Sequence, residues 1–230
     1  MSSAPLFSDR LDAGQQLAQL LFTLVQQLQE SEGVSAQPIV YALPRGGIPV
    51  AVPVVRQLNC PLDIVVAKKI TTAHNPELAI GAVTSDGHVL WSRLKHRGKR
   101  ISSSRQTALH QAQKKAQQQL EQLKVACSSV NPRGALALVI DDGIATGMTM
   151  AAATSALREY EPAEIWICAP VAPGGLMRWL EQWGDRVVVL HTPEPFISVS
   201  RFYAEFPQVK TSEALVYLQQ ELNKGVIATN

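Results

Sequence analysis

The chain has 230 residues, of which 46% are hydrophobic and 17% charged, with a formal net charge of +2. Those proportions exclude wholesale disorder and suit a single α/β domain, alone or with a small appendage. So small a charge does not argue for nucleic acid. Three cysteines without a C-x-x-C pair exclude both a disulfide framework and a structural zinc site.

In chain order, Met1–Arg10 lacks a basic patch followed by an apolar run, so no signal peptide is expected and the cytoplasm is the default. Leu17, Leu20, Leu21, Leu24 and Leu28 recur at helical spacing and predict an amphipathic helix over Leu11–Leu28. A short apolar strand, Ile39–Leu43, follows and ends at Pro44-Arg45-Gly46-Gly47. Ile48–Leu58 is expected to be helical, kinked or late in starting, because an interior Pro53 costs roughly 3 kcal/mol. Arg45 and several prolines interrupt Ile39–Leu58, so no membrane span is expected.

Leu62–Ala67 reads as a second strand with Lys68-Lys69 at its C-terminal end. Ala79–Thr84 and His88–Trp91 flank Ser85-Asp86-Gly87, a hairpin signal. From His88 to Leu120 there is no acidic residue, while Arg93, Lys95, Arg97, Lys99, Arg100, Arg105, Lys114 and Lys115 are basic. Such a field suits an anion or a solvated surface. Without interleaved aromatics it does not read as a nucleic-acid platform.

Ser102–Val125 predicts a long helix with a narrow stripe of Leu109, Ala112, Ala116, Leu120 and Leu123. Ala135–Ile140 is apolar throughout, as in a strand buried on both faces of a parallel sheet. Thr149–Tyr160 is expected as a helix, Glu164–Ala169 as a strand and Leu176–Trp183 as a helix. Arg186–Leu190 reads as a strand, and Ser212–Asn223 as a closing helix. The alternation argues an α/β fold with a mostly parallel central sheet and helices on both faces. The chain is taken as one domain, with 92–134 a long helical insertion and 191–230 a C-terminal hood.

The chemistry concentrates in Ala137–Thr149. A buried strand delivers Asp141 and Asp142 to the C-terminal edge of the sheet, where ligands of open α/β sheets bind. Gly143, Ala145, Thr146, Gly147 and Thr149 follow, and then a helix begins. Small residues let backbone N–H groups approach an anion, and a helix N-terminus adds partial positive charge. Paired carboxylates repel phosphate but accept hydrogen bonds from a vicinal diol and can hold Mg²⁺. Phosphate beside a diol describes a ribose 5-phosphate. The competing reading is a plain Asp-Asp-Gly turn followed by a helix cap.

Over all thirteen positions this segment resembles the phosphoribosyl-pyrophosphate (PRPP) motif of type I phosphoribosyltransferases. The resemblance implies ribose-hydroxyl binding by Asp141 and Asp142, with Mg²⁺ held by them directly or through water. It implies 5-phosphate binding by Gly143, Ala145, Thr146, Gly147, Met148 and Thr149. Leu43-Pro-Arg-Gly-Gly47 looks like the family's pyrophosphate loop, which casts Arg45, Gly46, Gly47 and Lys68 as pyrophosphate ligands and Arg45 and Lys69 as catalytic cations. Arg45 in a surface turn and Lys68-Lys69 as a solvated pair are the alternatives. With Asn75–Ala82 and Thr192–Phe196, the chain is similar from about Phe7 to beyond Tyr217 to bacterial members whose acceptor is undefined. Thr71–Gly81 would be the mobile catalytic loop.

Gly143 and Met148 depart from the better-known members, in place of an apolar and a small residue. His74 and Glu77 are weak acid–base candidates. Trp91, Trp166, Trp179 and Trp183 read as core or interface. Phe196 and Tyr203 either cover an acceptor or pack.

The reaction implied is transfer of ribose 5-phosphate from PRPP to a nitrogenous acceptor such as a nucleobase, releasing pyrophosphate. The alternative is a non-catalytic sensor of PRPP with the same fold. A receiver domain lacks the further strand-end aspartate it needs, and a dinucleotide binder lacks G-x-G-x-x-G. Acceptor and oligomeric state, a homodimer among the options, are left undefined.

Overall fold

The computed structural model describes residues 5–32, 36–72, 75–92, 103–127 and 130–227. Helix α1 (Arg10–Glu32) precedes β1 (Pro38–Ala42), α2 (Gly47–Leu58) and β2 (Leu62–Ile64). Three strands follow, β3 (Ala67–Thr72), β4 (Asn75–Thr84) and β5 (Val89–Trp91), then α3 (Ser103–Leu123). The chain continues through β6 (Leu136–Ile140), α4 (Met148–Arg158), β7 (Glu164–Val171), α5 (Met177–Leu180), β8 (Arg186–His191) and α6 (Thr211–Ile227).

Five strands form an all-parallel sheet in the order β2-β1-β6-β7-β8. The central strand is apolar throughout because both its faces are covered. Leu136, Leu138 and Ile140 join the core built with α1, α2 and α6, whereas Ala137 and Val139 join the one beneath α4. Leu136, Leu138, Val139 and Ile140 each contribute about 1.5–3 kcal/mol by leaving water. This period-2 division fixes which way the strand ends face, and so where Asp141 and Asp142 emerge.

Helix α2 is unbroken from Gly47, with Pro49 in its first turn and Pro53 inside. Burial of Val50, Val52, Val54 and Val55 offsets the hydrogen bond that Pro53 cannot donate. The helix starts at once, contrary to the expected kink or late start.

The largest departure concerns the second strand. β2 ends at Ile64, and the apolar run carries on into a separate antiparallel sheet, β3-β4-β5. Val66 is buried in the main core and Ala67 under α4, so the run stays apolar while the chain changes sheets. Lys68 and Lys69 therefore lie within β3, paired with Val83 and Ala82, and not at the end of a parallel strand.

Thr71–Gly81, expected as a loop, is largely strand, with register shifts around Thr71. Its polar, proline-containing sequence hides this, because Ile70 and Ile80 anchor the hairpin by packing on α3. Helix α3 buries Ala108, Ala112, Ala116 and Leu123, while Leu109 and Leu120 are only partly covered. The expected helix over Leu176–Trp183 shrinks to a 3-10 turn at Gly174–Leu176 and the single turn of α5. Burial of Leu180 holds it there, with Trp179 against it. Trp166 is core; Trp179 and Trp183 pack at a tilt with ring centres 5.8 Å apart, and Trp91 packs beside α3.

No helix among the described residues is long and apolar enough to cross a membrane. His74, the side chain of Glu77, and Arg93, Lys95, Arg97, Lys99 and Arg100 lie outside the described residues.

Candidate functional site

The site grows from the carboxyl end of β6. Asp141 and Asp142 leave the sheet there, and the Asp142 N–H donates to Asp141 Oδ1 at 2.9 Å. The chain then turns through Gly143–Thr146 and enters α4 from Gly147, whose φ of 73° is left-handed and natural only to glycine. A Cβ there would collide with Trp179. No side chain caps this helix start.

A cavity of about 160 Å³ opens at this turn, lined by Asp141, Gly143, Ala145, Thr146, Gly147 and Thr149 from one side and Lys69 from the other. Two hydroxyl-bearing residues, a lysine and a helix start thus border one small cavity, a combination suited to an anion. Met148 is absent from that lining. Its side chain turns away into the cluster of Ala67, Ala82 and Ala152, which is why a large residue is tolerated here. Gly143 has a similar reason: Val199, from the 3-10 turn Val199–Phe202, occupies the space a side chain would need.

Arg45, Gly46 and Gly47 lie on the other side of the acids. The Pro44–Arg45 peptide is cis. A Cβ on Gly46 would strike the Asp142 carboxylate, and one on Gly47 would stand 2.5 Å from the Ile140 carbonyl oxygen. Only glycines let this turn lie against the strand end. Arg45 is half-buried and donates from Nη1 to Thr211 Oγ1 at 3.1 Å, at the start of α6.

The two lysines of β3 face opposite ways. Lys69 shares the α4 side with Ala67 and Ala82 and reaches the cavity, while Lys68 shares the α3 side with Ile70. Burial holds Lys68 below the ordinary lysine value, helped by the charges of Arg45 and Lys115 and opposed by Asp141. Lys115 of α3 thus joins Arg45, Lys68 and Lys69 as a fourth cation at this edge. The sequence showed it only as one member of a basic stretch, because nothing local says that α3 folds back against β3.

Burial, then the Asp142 charge, raises Asp141 well above the usual carboxylate range. Asp142 is also raised by burial, against the pull of Arg10. Arg10 is the residue that sequence reasoning missed. Its Nε donates to Asp142 Oδ2 at 2.8 Å, its Nη1 donates to the Pro207 carbonyl at 2.7 Å, and its guanidinium lies 3.6 Å from the Phe206 ring centre. The Tyr203 hydroxyl donates to the Asp142 carbonyl at 2.6 Å, so Tyr203 and Phe196 are packing residues of a cluster with Phe202.

No cluster of three His, Cys, Asp or Glu side chains among the described residues could hold a metal by itself. Cys60 and Cys127 are pushed up to about 12 by burial, and Cys168 is raised likewise, so no reactive thiol stands at the site.

A parallel sheet whose central strand ends in paired aspartates before a glycine-entered helix defines a class, and the family comparison agrees with it. Residues 8–181 match the model of the phosphoribosyl transferase domain, and the chain belongs to that family. In two strains of Mycobacterium tuberculosis, proteins named "Putative phosphoribosyl transferase" are 33% identical over 216 residues, covering 94% of this chain and 47% of theirs. The chain thus spans about half the length of these relatives. The crystal structure of TT1426 from Thermus thermophilus is similar with a TM-score of 0.76 and 29% identity, covering 93% of this chain and 98% of that one.

Proposed function

We propose that this domain binds PRPP and transfers its ribose 5-phosphate to a nitrogenous acceptor, with pyrophosphate leaving. The observation that carries this reading is the convergence of two carboxylates, an anion-sized turn at a helix start and a set of cations within one cleft edge. In this reading the turn of Gly143, Ala145, Thr146, Gly147 and Thr149 holds the 5-phosphate, Met148 offering only its backbone. Asp141 and Asp142 face the ribose hydroxyls. Arg45, Gly46, Gly47 and Lys68 receive pyrophosphate, and Lys115 adds charge behind them.

The acceptor nitrogen forms a bond to the anomeric carbon from the face opposite the pyrophosphate. The carbon–oxygen bond breaks, its electron pair leaves with pyrophosphate, and the nitrogen's proton passes to solvent. Positive charge develops on the sugar and negative charge on the leaving group. Arg45 and Lys69 stabilise the second, and holding both ends of the donor supplies the orientation. No protein nucleophile is needed.

Mg²⁺ suits the same edge. Two adjacent carboxylates, Asp141 disfavoured as a bare anion, form an oxygen donor set too small to enclose the ion, so substrate oxygens and water would complete its shell. Bound there it would offset the charge of the pyrophosphate.

Calorimetric titration with PRPP and Mg²⁺ tests the reading. Saturable binding that the Asp141→Asn/Asp142→Asn variant loses is expected. Absence of binding at millimolar PRPP would overturn it. Pyrophosphate release with a panel of nitrogenous acceptors then separates transfer from sensing, because a sensor binds PRPP without turnover.

A further inference from the structure

The two aspartates have the same side chain and adjacent positions, but very different surroundings. Asp141 borders the open cavity together with Lys69 and the turn before α4. Asp142 does not line that cavity, and its Oδ2 is closed from two directions. Arg10 Nε donates to it at 2.8 Å, and Gly46 lies so close that even a methyl group there would collide with the same oxygen.

The arginine that does this is itself enclosed. The Arg10 side chain is 10% exposed and that of Asp142 16%. Besides Asp142, Arg10 holds the carbonyl of Pro207 and covers the ring of Phe206, both from the segment between β8 and α6. Tyr203 of that segment donates to the Asp142 backbone carbonyl. One acid is therefore tied to the start of α1, to the glycine turn after β1 and to the C-terminal segment at once.

We propose that Arg10 is a positioning residue of the donor site: it withdraws Asp142 Oδ2 from ligand contact and makes Asp142 a clasp, so that Asp141 supplies the main carboxylate to the ribose diol. This rests on the donor-site reading above and refines it. A carboxylate has about four lone-pair positions. Those of Asp142 Oδ2 are taken by Arg10 or crowded by Gly46. Asp141, which accepts from the Asp142 N–H on Oδ1 and lies against the Asp142 carboxyl, has no cation on it among the described residues and borders the cavity. The clasp also has a geometric consequence. Because Asp142 is held beneath Gly46, it fixes the distance between the glycine turn and the strand end, the two parts that must grip opposite ends of the donor.

The test uses Asp141→Asn, Asp142→Asn, Arg10→Met, Arg10→Lys and the double variant Arg10→Met/Asp142→Asn in the full chain. Calorimetry measures their affinity for PRPP with Mg²⁺, and for ribose 5-phosphate against its 2,3-dideoxy analogue. Asp141→Asn is expected to erase the preference for the diol. Arg10→Met should weaken PRPP binding by roughly tenfold to a hundredfold, by leaving a buried carboxylate unpaired. Arg10→Lys should recover part of this, and the double variant should bind no worse than Arg10→Met while keeping the preference for the diol.

A folded Arg10→Met protein with wild-type PRPP affinity would overturn the proposal. So would equal loss of the diol preference in Asp141→Asn and Asp142→Asn, or additive losses in the double variant. These outcomes are judged on variants of a wild type that binds. A folded wild type that binds no PRPP would instead overturn the donor-site reading, and this refinement with it.

Discussion

The two sheets bring opposite charge to one site. The edge of the five-stranded sheet supplies carboxylates, Asp141 and Asp142, against which the glycine turn lies with almost no spare space. The three-stranded sheet supplies Lys68 and Lys69, from a hairpin packed on α3 through Ile70, Ile80 and Val83 and on α4 through Ala67 and Ala82. The acid edge is built by tight backbone contact deep in the main core. The basic strand belongs to a separate sheet held by two small clusters, one under each helix. Placing the two charges on separate supports keeps the lysines and the carboxylates from being fixed by the same packing.

The largest effect should come from breaking the tight side. Gly47→Val would push a side chain into the Ile140 carbonyl and the Asp141 backbone, where neither can retreat. We expect a loss of more than about 3 kcal/mol, read as a fall in the urea midpoint or as insoluble protein.

On the basic side the effect should be functional and opposite in sign for stability. Lys68→Met is expected to weaken PRPP binding by about tenfold or more, the cost of one charged contact. It should also raise the melting temperature at pH 7. The folded value of Lys68 lies below its ordinary 10.5, so folding opposes its charge. In wild type that penalty is lifted as pH climbs from the folded value towards 10.5.

Asp141→Asn sharpens the comparison from the acid side. The folded value is raised above 3.8, so the folded state holds more protons and wild-type stability falls as pH rises from 3.8 through that raised value. Without ligand, the variant should melt a few degrees above wild type at neutral pH, and the difference should vanish as pH falls towards 3.8. A constant difference across pH would show that the carboxyl's charge is not its cause.

The smallest effect concerns the joint between the hairpin and α4. His88 Nδ1 meets Glu159 Oε1 at 2.9 Å and its Nε2 meets Ser155 Oγ at 2.8 Å, with Glu159 largely exposed. His88→Ala should cost under about 1 kcal/mol in denaturant titration and leave PRPP affinity unchanged. A loss of affinity would mean that this joint sets the position of the lysines.

Period and local chemistry made the main sheet and the aspartate turn legible. Leu136–Ile140 is apolar without break because a doubly covered strand must be. The residues from Asp141 to Thr149 carry their chemistry in consecutive positions, so no folding step is needed to assemble them. The likeness of Leu43–Gly47 to a pyrophosphate loop is legible for the same reason, its five residues being consecutive. Reading failed where adjacency in space is not adjacency in sequence. Arg10 stands 132 positions from Asp142, and Lys115 is brought to Lys68 only when α3 packs on β3.

By itself, then, the sequence determined the parallel sheet, the helix-entering turn with its two acids and the family they belong to, because backbone periodicity and short-range spacing are local properties. Tertiary structure alone decided that Leu62–Thr72 divides between two sheets, since apolar burial continues across the break and hides it. It alone put Lys68 and Lys69 inside a strand, with α3 on one face and α4 on the other; their alternation then follows from the pleat. It alone distinguished Asp141 from Asp142, because neighbours contributed by distant segments, and not the residues' own identity, determine how free a carboxylate is.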